Sequence, residues 1–174
     1  MKRMKDRLLR LFVVAVLLAV SIVALKNFEY DGEHALYETK ESVVFLRKVD
    51  GDTAKFILSD GKDVTCRFLA IDTPETVKPG TEPQPLGKEA SDYTEMRLSE
   101  GENIILEYDP ASDRYDKYGR LLAWIWIDGS LLQEELVTNG YAKVEYIYGN
   151  YKYLDILENA EDKAKELRLG IWGI

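Results

Sequence analysis

The chain has 174 residues, one cysteine, one histidine and a net charge of −8; that length suits one domain, and 46% hydrophobic residues give it a real core. With Cys66 alone there is no internal disulfide and no cysteine zinc centre, and with His34 alone, upstream of the patterned region, there is no Ser-His-Asp, Cys-His or H-E-x-x-H chemistry in the domain. Acid-base work therefore falls to carboxylates, lysines, tyrosines or a metal, and an acidic chain that handles an anionic polymer needs a mediating cation.

The first element is "MKRMKDRLLR", with five bases against one acid, followed by an uncharged run from Leu11 to Leu25. Fifteen residues are short for a spanning helix, so residues 1–25 read as a secretion signal or a short membrane anchor. The basic flank keeps that end in the cytoplasm. The chain beyond residue 25 is expected to be extracellular, or held on the outer face of the cytoplasmic membrane with the membrane touched only through this segment. Residues 26–40 read as a polar linker, and residues 41–174 as the folded domain. Without residues 1–25 the chain holds 18 Lys+Arg against 30 Asp+Glu, a net of −12.

From Ser42, "SVVFLRKV", "TAKFIL" and "DVTCRFLAI" predict three strands joined by tight Asp-Gly turns. The proline-rich "DTPETVKPGTEPQPLG" predicts a long loop. "KEASDYTEMRLSEG" predicts a helix with Ala90, Tyr93 and Arg97 on one face, and "ENIILEYD" and "GRLLAWIWID" predict two more strands. "SLLQEELVTNG" predicts a short helix opened by a capping box of Ser130 and Gln133. A last helix carries Leu154, Leu157, Ala160, Ala164 and Leu167 at helical spacing, stopping at Gly170. Helices that cluster late mean α+β, and five short strands suit a five-stranded antiparallel barrel of the OB type with three helices.

Carboxylates crowd the turns of this pattern. "DGD" (Asp50 to Asp52) taken alone reads first as a hairpin turn. Asp72 and Glu75 in "AIDTPE" read as more, because an antiparallel pair brings Asp52, at the start of strand two, to the same rim as Asp72, at the end of strand three. Two carboxylates so placed repel each other unless a cation lies between them, and oxygen-only ligands suit a hard ion, calcium before magnesium. Arg67 and Arg120 read either as outward-facing strand residues or as a forked pair suited to phosphate.

"VDGDTAKF", "CRFLAIDTPE", "DKYGRLLAWIW" and "AKVEYIY", in this order and at these separations, resemble the thermonuclease family, typified by staphylococcal nuclease. The resemblance covers Val43 to Trp172. It implies an OB-type barrel with three helices and a calcium-dependent phosphodiesterase, expected as a monomer, that cuts DNA and RNA, single strands most readily, with little sequence preference and leaves 3′-phosphates. It further implies that Asp52, Asp72 and the Thr73 carbonyl hold calcium with Asp50 in the outer shell, and that Glu75 acts as general base or water-orienting group. Arg67 and Arg120 would then contact the scissile phosphate, Lys117 and Tyr118 a neighbouring phosphate or sugar, and Tyr146 and Tyr148 the nucleoside. The chain departs from the type member after Glu75, where Lys78 is the only base and Glu82 adds an acid; weak binding with a shallow salt dependence is the expectation. The competing reading is a non-catalytic cell-surface OB-type module that binds nucleic acid.

Overall fold

The structure, a computed structural model, describes residues 40–76 and 84–174. The signal or anchor expected over residues 1–25, and nearly all of the linker, lie outside the described residues. Among those described, no helix is long and apolar enough to cross a membrane.

Strands β1 (Lys40–Lys48), β2 (Thr53–Ile57) and β3 (Asp63–Phe68) form an antiparallel meander, as their Asp-Gly reversals dictate. At the second reversal Gly61 takes φ +83, which L side chains rarely adopt, and its N–H donates to Leu58 O at 2.9 Å. β5 (Ile104–Glu107) pairs with β1 and with β6 (Leu121–Ile127), and β6 returns to β3, closing a five-stranded barrel. The closing pair runs parallel, with Cys66 beside Leu121 and Arg67 beside Leu122, so the barrel is mixed rather than wholly antiparallel as expected. Parity explains the difference. Five strands in a ring cannot all alternate in direction, so a barrel with an odd count must contain a parallel seam.

The third strand also ends earlier than its pattern suggests. At Leu69–Ala70 the chain turns, with Ala70 at φ 58, and resumes as the two-residue β4 (Ile71–Asp72), which pairs with β8 (Lys143–Val144) rather than with β2. Three helices complete the domain: α1 (Gly87–Glu100), α2 (Leu132–Thr138) after the short β7 (Ser130–Leu131), and α3 (Leu154–Glu166). The face α1 buries is Gly87, Ala90, Ser91, Thr94 and Leu98, one step round from the expected stripe. Tyr93 and Arg97 flank it and tie α1 to α2 through Glu135, with Arg97 Nε 2.6 Å and Tyr93 Oη 3.1 Å from Glu135 Oε2. On α3, Leu157, Ala160 and Ala164 are buried, whereas Leu167 caps the helix in solvent.

The expected capping box does not form, because Gln133 has another task. Once β3 has turned away, β6 lacks a strand neighbour on that edge, and the fully buried Gln133 side chain fills the gap. Its Oε1 accepts from Ile125 N and its Nε2 donates to Ala123 O, both at 3.0 Å. Ala123 O keeps a second donor in Leu69 N, so removing the amide orphans mainly the Ile125 N–H. Gln133→Leu is expected to destabilise the domain by about 2 kcal/mol, the usual penalty for one buried unsatisfied group; urea unfolding followed by circular dichroism measures it.

Candidate active site

The β1–β2 turn is held from two sides. Thr94 on α1 donates its hydroxyl to Gly51 O at 2.6 Å, and a Cβ on Gly51 would lie 2.6 Å from Thr73 Oγ1, so glycine is needed for this approach. Asp52, only 5% exposed, is thereby pressed against the β4 end. It accepts from Thr73 N at 2.9 Å and Thr73 Oγ1 at 3.2 Å through Oδ2, and from Thr53 Oγ1 at 3.1 Å through Oδ1. Asp50 Oδ1 accepts from Asp52 N at 3.1 Å, which places Asp50 one layer outside.

Arg67 lies between the two inner aspartates, with Nη1 2.7 Å from Asp52 Oδ2 and Nη2 3.3 Å from Asp72 Oδ1. Lys143 on β8 approaches Asp72 Oδ2 at 3.5 Å. Even so, burial pushes the Asp52 carboxyl up to about 6, Arg67 pulling it back and Asp50 adding to the rise. Burial also raises Asp72, and the neighbouring Asp52 charge adds to it. Burial, with another carboxylate beside each, thus raises both despite Arg67 and Lys143.

Glu75 follows two residues after Thr73, and its segment is clamped reciprocally: Glu75 N donates to Gln84 Oε1 and Gln84 N donates to Glu75 O, both at 2.9 Å. The parallel seam brings in the second arginine. Arg120 immediately precedes Leu121, the partner of Cys66, so Arg67 and Arg120 flank one junction on its outer face. Asp116 fixes Arg120, accepting from its Nε at 2.7 Å and from its backbone N and that of Tyr118 at 2.9 Å. Burial alone would raise the Asp116 carboxyl, but these bonds hold it below the ordinary aspartate range. The sequence pattern does not single out Gln84, Thr94 or Asp116. Of the three, only Asp116 carries a local signal, an aspartate at the head of a tight turn.

One cleft of about 640 Å³ collects these groups. Asp50, Asp52, Arg67, Asp72, Thr73, Glu75 and Arg120 line it, together with Lys117, Tyr118, Tyr146 and Tyr148, so every site residue expected from the sequence faces one space. Among the described residues no three carboxylate, histidine or cysteine side chains converge as a metal cage. The donors at the rim are all oxygens. Two neighbouring carboxylates beside a main-chain turn fit a hard divalent ion completed by a backbone carbonyl and water, not a caged transition metal.

The family model described as "Staphylococcal nuclease homologue" matches residues 65–173. The chain belongs to that family. This staphylococcal nuclease homologue is 36% identical over 163 residues to the thermonuclease of Staphylococcus hyicus, covering 93% of this chain and 94% of the relative. It is 39% identical to the thermonuclease of Staphylococcus intermedius over 90% of this chain and 94% of that one. With the endonuclease YncB of Bacillus subtilis (strain 168) it shares 45% identity over 75% of its own length and 61% of the relative's. The matched segment takes in both arginines, Asp72 and Glu75 of the homologue, while Asp50 and Asp52 precede it.

Proposed function

We propose that this staphylococcal nuclease homologue is an exported, calcium-dependent nuclease that hydrolyses phosphodiester bonds of DNA and RNA with little sequence preference and leaves 3′-phosphates. The coarser activity, phosphodiester cleavage by a nuclease, comes with the family and the thermonuclease relatives that span nearly the whole chain. The observation that carries the finer reading is the convergence of Asp52, Asp72, Glu75, Arg67 and Arg120 on one cleft.

Asp52 and Asp72 would hold calcium through their carboxylates and Thr73 through its carbonyl, with Asp50 outside. Bound there, the ion supplies charge stabilisation to a phosphate. The chain's residues do the rest. The Glu75 carboxylate takes a proton from water as that water attacks phosphorus, and the P–O5′ bond breaks, the leaving O5′ taking a proton from solvent, to leave a 3′-phosphate and a 5′-hydroxyl. Arg67 and Arg120 offset the charge that grows on the phosphoryl oxygens. Unpaired bases enter such a cleft more readily than stacked ones, which favours single strands. Export rests on the segment at residues 1–25, and a monomer is proposed.

The test is an assay of single-stranded DNA and RNA cleavage with calcium, with magnesium and with chelator. Calcium-dependent release of 3′-phosphate products is expected; tight binding without cleavage under every condition would instead favour the non-catalytic OB-type module. Binding also reports directly on the ion: calcium at about a hundredfold its Kd stabilises the fold by about 2.7 kcal/mol. Thermal scans should show that gain in the parent chain and lose it in Asp52→Asn.

A further inference from the structure

The cleft's own charge works against an anionic substrate. Among the described residues, six carboxylates line it against three bases, Arg67, Lys117 and Arg120. Two of those bases are already paired, Arg67 with Asp52 and Asp72, and Arg120 with Asp116. Little is left for tracking a phosphate backbone, so another force must supply the hold.

Aromatic surface is what the cleft has in excess. Tyr151, 5% exposed, stands edge-on to Trp124 and belongs to the core. Tyr118, Tyr146 and Tyr148 are 72%, 49% and 82% exposed and are the tyrosines to which the family resemblance gives substrate contacts. Tyr115 also lines the cleft, is 53% exposed, and is absent from that account.

Its placement is built. Tyr115 sits on a hairpin in which Asp116 N donates to Arg120 O at 2.9 Å and Leu122 N donates to Arg114 O at 3.0 Å, and it pairs across that hairpin with the buried Leu121. Its neighbour Arg114 turns onto Tyr108, with the guanidinium carbon 3.0 Å from the ring centre. The Tyr115 side chain, by contrast, makes no hydrogen bond or ring contact among the described residues and interacts only electrostatically, with Lys62, so the fold gains little from an aromatic ring here. The two arginines divide the tyrosines between them: Arg67 lies over Tyr146 at 5.6 Å and Arg120 over Tyr118 at 5.4 Å. Tyr115 shares the hairpin of Arg120 and Tyr118.

We propose that Tyr115 is a base-stacking residue for a nucleotide on the Arg120 side of the scissile phosphate, so that affinity for single strands grows with strand length and comes from rings more than from charge. Every base has a π-face, which suits an enzyme of little sequence preference. The inference rests on the nuclease reading above and adds a substrate contact that reading does not contain.

The test measures binding in calcium by fluorescence anisotropy, with Glu75→Gln as the parent so that strands stay uncut, using an oligothymidylate of about eight nucleotides and a thymidine mononucleotide. Adding Tyr115→Ala should weaken the oligonucleotide about tenfold, the loss of one stacked base, and leave the mononucleotide unchanged; Tyr115→Phe should bind like the parent. The salt slope of the parent should be about 2 or less in magnitude, from the three bases that line the cleft among the described residues, and stay the same in the alanine variant. Unchanged oligonucleotide binding in Tyr115→Ala, equal loss on both ligands, or a phenylalanine variant as weak as alanine would each overturn the proposal. Cleavage by the chain with Glu75 intact is scored separately, so failure of the nuclease reading leaves a different signature.

Discussion

Glu75→Gln is expected to lower turnover on single-stranded DNA by about 10²- to 10⁴-fold, the range general-base catalysis supplies. The substitution keeps size and shape and removes the negative charge together with the capacity to take a proton. The Glu75 segment is held through its backbone N–H and carbonyl by Gln84, contacts that the substitution leaves in place. Glu75 is also only half-buried, so the thermal midpoint should stay near that of the parent. Single-turnover kinetics in saturating calcium is the right measurement, since it separates chemistry from product release. Turnover within about twofold of the parent would remove Glu75 from the proton-transfer role.

Arg120→Lys is the second large effect, expected at about 10²- to 10³-fold in kcat, the cost of losing one preorganised charged donor in the transition state. Arg120 spends its Nε on Asp116 and turns the rest of the planar fork to the cleft. A lysine has one nitrogen on a flexible stem and cannot do both. It either keeps Asp116 and abandons the phosphate or reaches the phosphate with an unfixed side chain. The loss should therefore fall on kcat more than on KM, and a variant with raised KM and unchanged kcat would reassign Arg120 to ground-state binding.

Much of the frame is legible from local chemistry. The Asp-Gly reversals specify the meander, and antiparallel pairing brings the end of β3 to the start of β2; Asp72 itself reaches Asp52 only after the turn at Leu69–Ala70, on β4. The roles given to Lys117, Tyr118, Tyr146 and Tyr148 come from likeness to a family, since tyrosines two apart equally describe ordinary strand core. The departures share one cause. Ser130 and Gln133 have the spacing of a capping box, but Gln133 finds a better partner in a strand edge that only the tertiary fold creates. Thr94 and Gln84 act on backbone groups 43 and 9 residues away, and such contacts leave no periodic mark in a sequence. The parallel seam needs no residue-level signal at all, only the count of strands in the ring.

That seam also governs when the two cleft arginines come together. Cys66 and Leu121 are far apart along the chain, and pairings of that kind form late because the intervening loop must be ordered first. Arg67 and Arg120 share one cleft only once it has formed. A nascent or partly unfolded chain, in which that pairing has not formed, therefore has no assembled pair of cleft arginines.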